Sequence, residues 1–278
     1  MKHLTKAQIL TSNYPYYRYS LDYALDSLAR IGVETIEFYA CYPHFYLDDR
    51  DLFRDLPKLK KKLADRHLKV QCVTPEQCLY PVNIAALDPV RRKKSIETFR
   101  KAIRCVAELG GQYVVLLAGY GTLDEDEEEI WKRSAESAGE LGYAAEKYGI
   151  TLVLETSPRE YTTTHNSRDV VRMIREIDSP ALKGMIDTAT LCYSGETMGQ
   201  AIADLAGNLW HVHVADGAPG GHLVLGEGDL DLPGMLKELD AAGYKGALSL
   251  EILNDRYVRK PHQAMEESLR KLEEYLNR

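Results

Sequence analysis

The chain has 278 residues, of which 45% are hydrophobic and 28% are charged. This composition excludes intrinsic disorder, collagen and low-complexity structure, and the length suits one (β/α) barrel of about 250 residues. The formal net charge of −7 provides no basic surface for nucleic-acid phosphates. Neither a run of about 18 apolar residues nor a secretory leader pattern occurs, so we expect a cytoplasmic protein with no membrane or nucleic-acid partner.

The cysteines form no pattern that binds zinc or builds a disulfide framework. Their number is odd, no C-x-x-C pair occurs, and most lie in apolar segments. We therefore expect reduced, buried thiols. The five residues are Cys41, Cys72, Cys78, Cys105 and Cys192.

One pattern repeats along the chain: an amphipathic helical stretch, a break that often contains glycine, and a short β-branched run that ends in a polar residue. Glycine commonly ends a helix, as predicted here at Gly32, Gly110, Gly149 and Gly243. The predicted strands span residues 7–12, 34–39, 69–74, 113–117, 151–155, 183–187, 209–215 and 247–252.

Eight strands separated by helices predict a single (β/α)8 TIM barrel that occupies residues 1–278 as one domain of the α/β class. The alternative is an open, doubly wound sheet. That alternative is less favoured because no strand is followed by the glycine-rich loop that binds phosphate in such folds.

The last four predicted strands each carry a potential metal ligand at or near the carboxyl end, namely Glu155, Asp187, His213 and Glu251. The carboxyl ends of the strands meet at one mouth of a barrel, where catalytic residues lie. His211 and His213 alternate with valines, so both histidines should face the barrel interior. We select His213 as the ligand because it lies nearer the carboxyl end.

Three carboxylates and one imidazole predict a site for one divalent cation. This oxygen-rich set suits Mn²⁺ best, and Co²⁺, Mg²⁺ or Zn²⁺ are alternatives. Any one of the acids alone is better explained as a helix cap or as the partner of an arginine. The four together favour a metal site.

Several short motifs carry a resemblance to a known family. They are Leu154-Glu155, Met185-Ile186-Asp187-Thr188, His211-Val212-His213-Val214-Ala215-Asp216, Gly226-Glu227-Gly228 and Leu250-Glu251. They resemble the xylose isomerase-like sugar isomerase and epimerase superfamily across essentially the whole chain. Ile36-Glu37-Phe38 with Pro43-His44, and Thr74-Pro75-Glu76 with Tyr80-Pro81-Val82-Asn83, are similar to the fructoselysine 3-epimerase branch.

The resemblance implies a metal-dependent epimerase that acts at C3 of a ketose or ketosamine through an enediolate. Its metal site maps onto the same four residues. Epimerisation removes a proton from one face of a carbon and returns one to the other face, so it needs two acid/base groups. The resemblance assigns these roles to Glu155 and Glu251.

Predicted substrate-binding residues lie in the loops that follow four strands, and they are His44, Glu76, Glu160 and His222. Tagatose and allulose epimerases carry a His, an Arg and a Glu where this chain has Thr190, Pro219 and Tyr161, with Glu160 one residue short of the expected Glu. These departures place a free-ketose pocket in doubt.

Four other functions remain open at this point. The same metal site serves aldose-ketose isomerases and sugar dehydratases or other lyases. An apurinic endonuclease is less favoured because Thr190 and Gly220 replace the expected zinc ligands, and a non-enzymatic sugar-binding barrel is a further alternative. The resemblance, together with the aromatic segment 39–46 and Phe38, also predicts a homo-oligomer, either a dimer or a tetramer.

Overall fold

The computed structural model describes residues 1–77, 81–157, 163–217 and 221–277. The strands are β1 (Ile9–Ser12), β2 (Thr35–Ala40), β3 (Lys69–Pro75), β4 (Tyr113–Leu116), β5 (Thr151–Leu154), β6 (Leu182–Asp187), β7 (Leu209–Val214) and β8 (Ala247–Leu250). The α-helices are α1 (Leu21–Ile31), α2 (Leu52–Ala64), α3 (Pro89–Leu109), α4 (Glu127–Tyr148), α5 (Ser167–Ile177), α6 (Thr188–Ser194), α7 (Met198–Leu205), α8 (Leu232–Ala241) and α9 (Pro261–Leu276).

The strands form a closed parallel barrel in chain order, which confirms the predicted fold. The barrel closes where β1 pairs with β8, with Ile9 opposite Leu248 and Leu10 opposite Ser249. The Ser12 hydroxyl extends this junction by donating to the backbone oxygen of Leu250 at 2.7 Å. Every predicted strand lies within two residues of an observed one.

The helix ends show why the sequence pattern was informative. The Ser20 side chain accepts the amide of Tyr23 and starts α1, and Gly32 ends that helix with φ +88°. Gly110 and Gly149 end α3 and α4 in the same left-handed conformation, which glycine adopts without steric cost. The predicted helix ends at these glycines are therefore confirmed.

Two apolar layers support the barrel. The larger one lies between the strands and the surrounding helices. The smaller one fills the barrel interior with Leu10, Cys72, Val115, Val153, Met185 and Ala247. Side chains alternate along a strand, so residues two positions nearer the carboxyl end also face inward. At those positions Thr74, Asp187 and Ser249 are polar, and polar groups therefore line the mouth above an apolar floor.

Burial of the cysteines is confirmed for Cys41, Cys72 and Cys105, and all described cysteines are free thiols. The prediction was wrong for Cys192, which is exposed because it follows the four buried residues of the short helix α6. Cys78 lies outside the described residues. No helix in the described chain is both long enough and apolar enough to cross a bilayer.

Candidate metal centre

Four side chains converge at the carboxyl ends of β5 to β8. Glu155 and Glu251 each follow the last residue of a strand, Asp187 ends β6, and His213 is the next-to-last residue of β7. One potential ligand atom from each residue lies within 4.8 Å of the others, and all four residues are buried. The barrel thus assembles the four residues selected from the sequence, and their role as ligands stays a prediction.

His213 lies at the centre of this group. Its Nδ1 atom is 2.9 Å from Glu251 Oε2 and 3.4 Å from Glu155 Oε1. Nδ1 of His213 and Oε2 of Glu251 are both buried, and although they lie 2.9 Å apart, neither atom makes a hydrogen bond of acceptable geometry. Buried polar atoms are rarely left unpaired, and a nitrogen beside two carboxylates is a donor set that suits a divalent cation. These residues therefore fit the predicted metal.

The electrostatics of the group follow from its burial. Removal from water, reinforced by Glu251 and Asp187, raises the pKa of Glu155 to about 7. Burial acts in the same direction on Glu251, but the charges of His213 and His222 outweigh it and lower the pKa of that carboxyl. Three carboxylates confined in a low-dielectric space repel one another, and a bound cation relieves that repulsion.

Glu37 of β2 lies in the barrel interior in contact with His213, and sequence reasoning did not identify it as a site residue. Its Oε1 atom accepts hydrogen bonds from His213 Nε2 at 2.9 Å, from Thr74 Oγ1 at 2.5 Å and from the Tyr14 hydroxyl at 3.3 Å. Its Oε2 atom accepts one from His211 Nε2 at 2.8 Å. Both histidines thus face the interior, as predicted.

A second group of side chains that could bind a metal comprises Glu37, Cys72 and His211. One potential ligand atom from each lies within 4.8 Å of the others, and all three residues are fully buried. Both oxygens of Glu37 already accept hydrogen bonds from imidazole nitrogens. The carboxylate of this group is therefore already engaged in the polar network of the barrel interior, although Nδ1 of His211 is buried without a hydrogen-bond partner.

His222 is the predicted substrate residue that the structure brings to the metal centre. Its Nε2 atom lies 2.9 Å from Asp187 Oδ2 and 3.1 Å from Glu251 Oε2. The His222 side chain is 25% exposed, whereas those of Asp187 and Glu251 are 1% and 9% exposed. His222 is therefore the member of this contact that faces solvent most.

Asp216 holds the loop that presents His222. The Asp216 carboxylate is buried, and it accepts hydrogen bonds from the amides of Gly217 (2.9 Å), Gly226 (2.8 Å) and Leu230 (3.2 Å). A Cβ atom at Gly228 would lie 2.4 Å from Asp216 Oδ1 and 2.3 Å from a backbone oxygen. Gly228 of the Gly226-Glu227-Gly228 motif is thus needed for close packing around this carboxylate.

His44 does not reach the metal centre through a hydrogen bond. Its Nδ1 atom accepts from the Asn13 side chain at 2.8 Å, and its Nε2 atom donates to the backbone oxygen of Tyr19 at 3.0 Å. Both ring nitrogens are therefore engaged within the protein. This arrangement suits the alternative that His44 is a turn residue, and its substrate contact stays a prediction.

Glu76 connects to the centre indirectly. The Tyr39 hydroxyl donates to Glu76, and the Tyr39 ring stacks on Tyr14 with centroids 4.6 Å apart. Tyr14 in turn donates to Glu37. The fourth predicted substrate residue, Glu160, lies outside the described residues.

Several known sugar epimerases are similar to this chain in sequence or in fold. A fructoselysine 3-epimerase from Shigella flexneri is 26% identical over 247 residues, which cover 88% of this chain and 89% of that protein. The structure of an L-ribulose 3-epimerase matches with a TM-score of 0.81 and 22% identity, covering 96% of this chain and 94% of the other. A 3-keto-D-glucoside 4-epimerase from E. coli matches with a TM-score of 0.79 and 21% identity, covering 95% and 98%. The family model described as the xylose isomerase-like TIM barrel matches residues 25–275, so the chain belongs to that family.

Proposed function

We propose that the protein is a sugar epimerase that inverts C3 of a ketose or ketosamine and requires one divalent cation. The observation that carries the proposal is the placement of Glu155 and Glu251. They end non-adjacent strands, β5 and β8, and both approach Nδ1 of His213, at 3.4 and 2.9 Å. Two carboxylates that approach one point from two different strands provide the pair of acid/base groups that proton transfer to both faces of a carbon requires.

Glu155, Asp187, His213 and Glu251 would hold the cation, which we expect to be Mn²⁺, with Co²⁺, Mg²⁺ and Zn²⁺ as alternatives. The buried atoms of His213 and Glu251 that make no well-formed hydrogen bond support this assignment. When bound, the cation supplies Lewis acidity that stabilises negative charge on substrate oxygens next to C3.

The two glutamates perform the proton transfers. One removes the C3 proton from its face of the sugar, and the other delivers a proton to the opposite face, so their roles exchange with the direction of reaction. Burial of both carboxyl groups excludes bulk water from competing with this transfer.

His222 is proposed to bind the substrate. Its partly exposed ring beside Asp187 and Glu251 supports a contact with sugar hydroxyls at the mouth. The link from Glu76 through two tyrosines supports a similar position at the rim. Glu160 is retained as a third substrate residue on the family resemblance alone.

The test is solvent deuterium incorporation into a panel of ketoses and ketosamines. Label at C3 with inversion supports the epimerase. Label at C1 identifies an aldose-ketose isomerase, and a dehydrated product identifies a lyase. Either result refutes the proposal.

Single-residue variants test the pair of glutamates. Glu251→Gln is expected to slow epimer turnover by about 10²- to 10⁴-fold while Glu155 still exchanges the C3 proton of one epimer. Glu155→Gln should show the mirror result with the other epimer. Glu34→Gln makes the same chemical change on an exposed residue at the amino-terminal end of β2, away from the mouth, and should leave turnover unchanged. Cation content is measured in every variant, and only loaded protein is compared.

We further propose a homo-oligomer. Phe38 and Phe45 pack into the core and are unavailable to a partner, but Tyr42 in the same segment is 79% exposed. Sedimentation of a dimer or tetramer at micromolar concentration is the expected result, and a monomer would reject it.

A further inference from the structure

Glu37 occupies a position that none of the predicted catalytic, metal or substrate roles explains. It is a fully buried acid on β2, the second strand, whereas the candidate ligands lie at the ends of β5 to β8. A buried carboxylate is costly unless it is paired and hydrogen-bonded. The hydrogen-bond partners of Glu37 therefore indicate what a carboxylate at this position does.

The geometry points to Glu37 as a positioning residue that keeps the hydrogen of His213 on Nε2 and so leaves Nδ1 free to bind the cation. This inference rests on the proposed metal site. Glu37 Oε1 lies 2.9 Å from Nε2 of His213, and Nδ1 on the opposite side of the same ring lies 2.9 Å from Glu251 Oε2. The two ring nitrogens thus face two different acids.

The other partners of Glu37 fix the direction of these hydrogen bonds. Two hydroxyl groups and two imidazole nitrogens surround its carboxylate, and each of them can donate a hydrogen. The carboxylate of Glu37 is satisfied when it accepts from all four. His213 then carries its hydrogen on Nε2, and a cation at Nδ1 displaces any hydrogen from that atom only.

The surroundings also fix the orientation of the imidazole ring. His213 is fully buried, and the Tyr14 ring meets it edge-on with centroids 6.4 Å apart. The His211 ring meets it edge-on from another side at 5.2 Å. Rotation of His213 to exchange its nitrogens would break the Glu37 hydrogen bond in a closely packed interior. A carboxylate that holds a metal-binding histidine in this way typically contributes 10- to 100-fold to metal affinity.

Zinc binding tests the inference. The dissociation constant for Zn²⁺ is measured by competition with a chelator for the full chain and for three variants. Glu37→Leu removes every acceptor, and we expect 10- to 100-fold weaker binding. Glu37→Gln keeps the size and one acceptor oxygen, and we expect about tenfold weaker binding. Thr74→Val removes a different hydrogen bond to the same carboxylate and should bind zinc within about threefold of wild type.

Nitrogen-15 NMR of histidine in the zinc-loaded protein provides a second readout, which a merely structural role would not change. The wild type should show Nδ1 of His213 bound to zinc and a slowly exchanging hydrogen on Nε2. In Glu37→Gln that hydrogen should exchange faster, whereas in Thr74→Val it should not.

The outcomes separate the two proposals. If the wild type does not bind zinc, the metal site and this role of Glu37 both fail. If the wild type binds zinc but both Glu37 variants bind it equally well, the metal site stands and the inference is overturned. If Glu37→Leu does not fold, the affinity and NMR results for Glu37→Gln decide. Zinc bound through Nε2 of His213 would also refute the inference.

Discussion

Replacement of Asp216 by alanine tests how the loop that carries His222 is held. The Asp216 carboxylate is 1% exposed and accepts three backbone amides at 2.8, 2.9 and 3.2 Å. Asp216→Ala leaves these amides without that acceptor. A buried amide without a partner costs about 1–3 kcal/mol, and an amide that water can reach costs less.

The burial of the three amides sets the expected size of the effect. Gly217 is buried, Leu230 is half-buried and Gly226 is exposed. Of these three amides, water can therefore fully replace the Asp216 carboxylate as acceptor only at Gly226. We therefore expect a loss of about 2–4 kcal/mol in the free energy of unfolding. In a domain of this size, that loss lowers the melting temperature by about 3–7 °C.

Calorimetry and amide hydrogen exchange measure this effect. Exchange should accelerate at Gly226 and at Leu223, which forms a two-residue antiparallel bridge with Asp216. Asp216→Asn keeps one acceptor oxygen but turns an NH₂ group toward an amide, so an intermediate loss is expected. Asp229→Ala removes an exposed acid from the same loop and should change the free energy of unfolding by less than about 0.5 kcal/mol. The reasoning is refuted if Asp216→Ala melts within 2 °C of wild type, or if the Asp229 control loses as much stability.

Three further predictions concern the metal, a glycine and the amino-terminal residues. Asp187→Asn should lose the bound cation without unfolding the barrel, and mild acid should release the cation from wild type because ligands must be deprotonated; elemental analysis and circular dichroism check both results. Gly228→Ala should destabilise the protein by about 1–3 kcal/mol because its Cβ would lie 2.3 Å from a backbone oxygen, whereas Gly207→Ala, with no atom within 4 Å, should be nearly neutral in a denaturant melt. The backbone amides of Lys2, His3 and Leu4 donate hydrogen bonds to Asp240 and lower its pKa. The contribution of the Asp240 carboxylate to the free energy of unfolding is therefore present above about pH 4 and is lost as the pH falls further. The difference in stability between wild type and Asp240→Asn should therefore shrink below that pH, and a constant difference in urea melts down to pH 2 would contradict this assignment.

The barrel and the four converging side chains could be predicted because both depend on local pattern. Strand runs and helix-ending glycines set the element order, and parallel strands in a closed barrel present their carboxyl ends at one mouth. Residues such as Asp187 and Glu251 were therefore identifiable from their position at strand ends alone. The choice of His213 over His211 as the proposed ligand rests on the direction of the strand.

Glu37 could not be found in this way, because its partners lie far away in the sequence. It meets His211 and His213 across 174 and 176 positions of chain. The pairing of β2 with β3 also shifts register between Ile36 and Glu37, which no sequence pattern signals. The sequence alone did not distinguish a substrate-binding His44 from a turn residue. The hydrogen bond from Asn13 to a ring nitrogen of His44, which favours the turn residue, joins positions that are far apart in the sequence.

The junction between the first and last strands connects the amino-terminal residues to the candidate metal centre, although they supply none of the proposed ligands. The proposed ligands all lie between residues 155 and 251, and the family match begins only at residue 25. A chain shortened to that match would keep every ligand but lose β1, the strand that pairs with β8 beside Glu251. A cation stabilises any arrangement that presents all four ligands together, so binding and the docking of β1 favour each other. Cation affinity would then report whether the first twelve residues are in place.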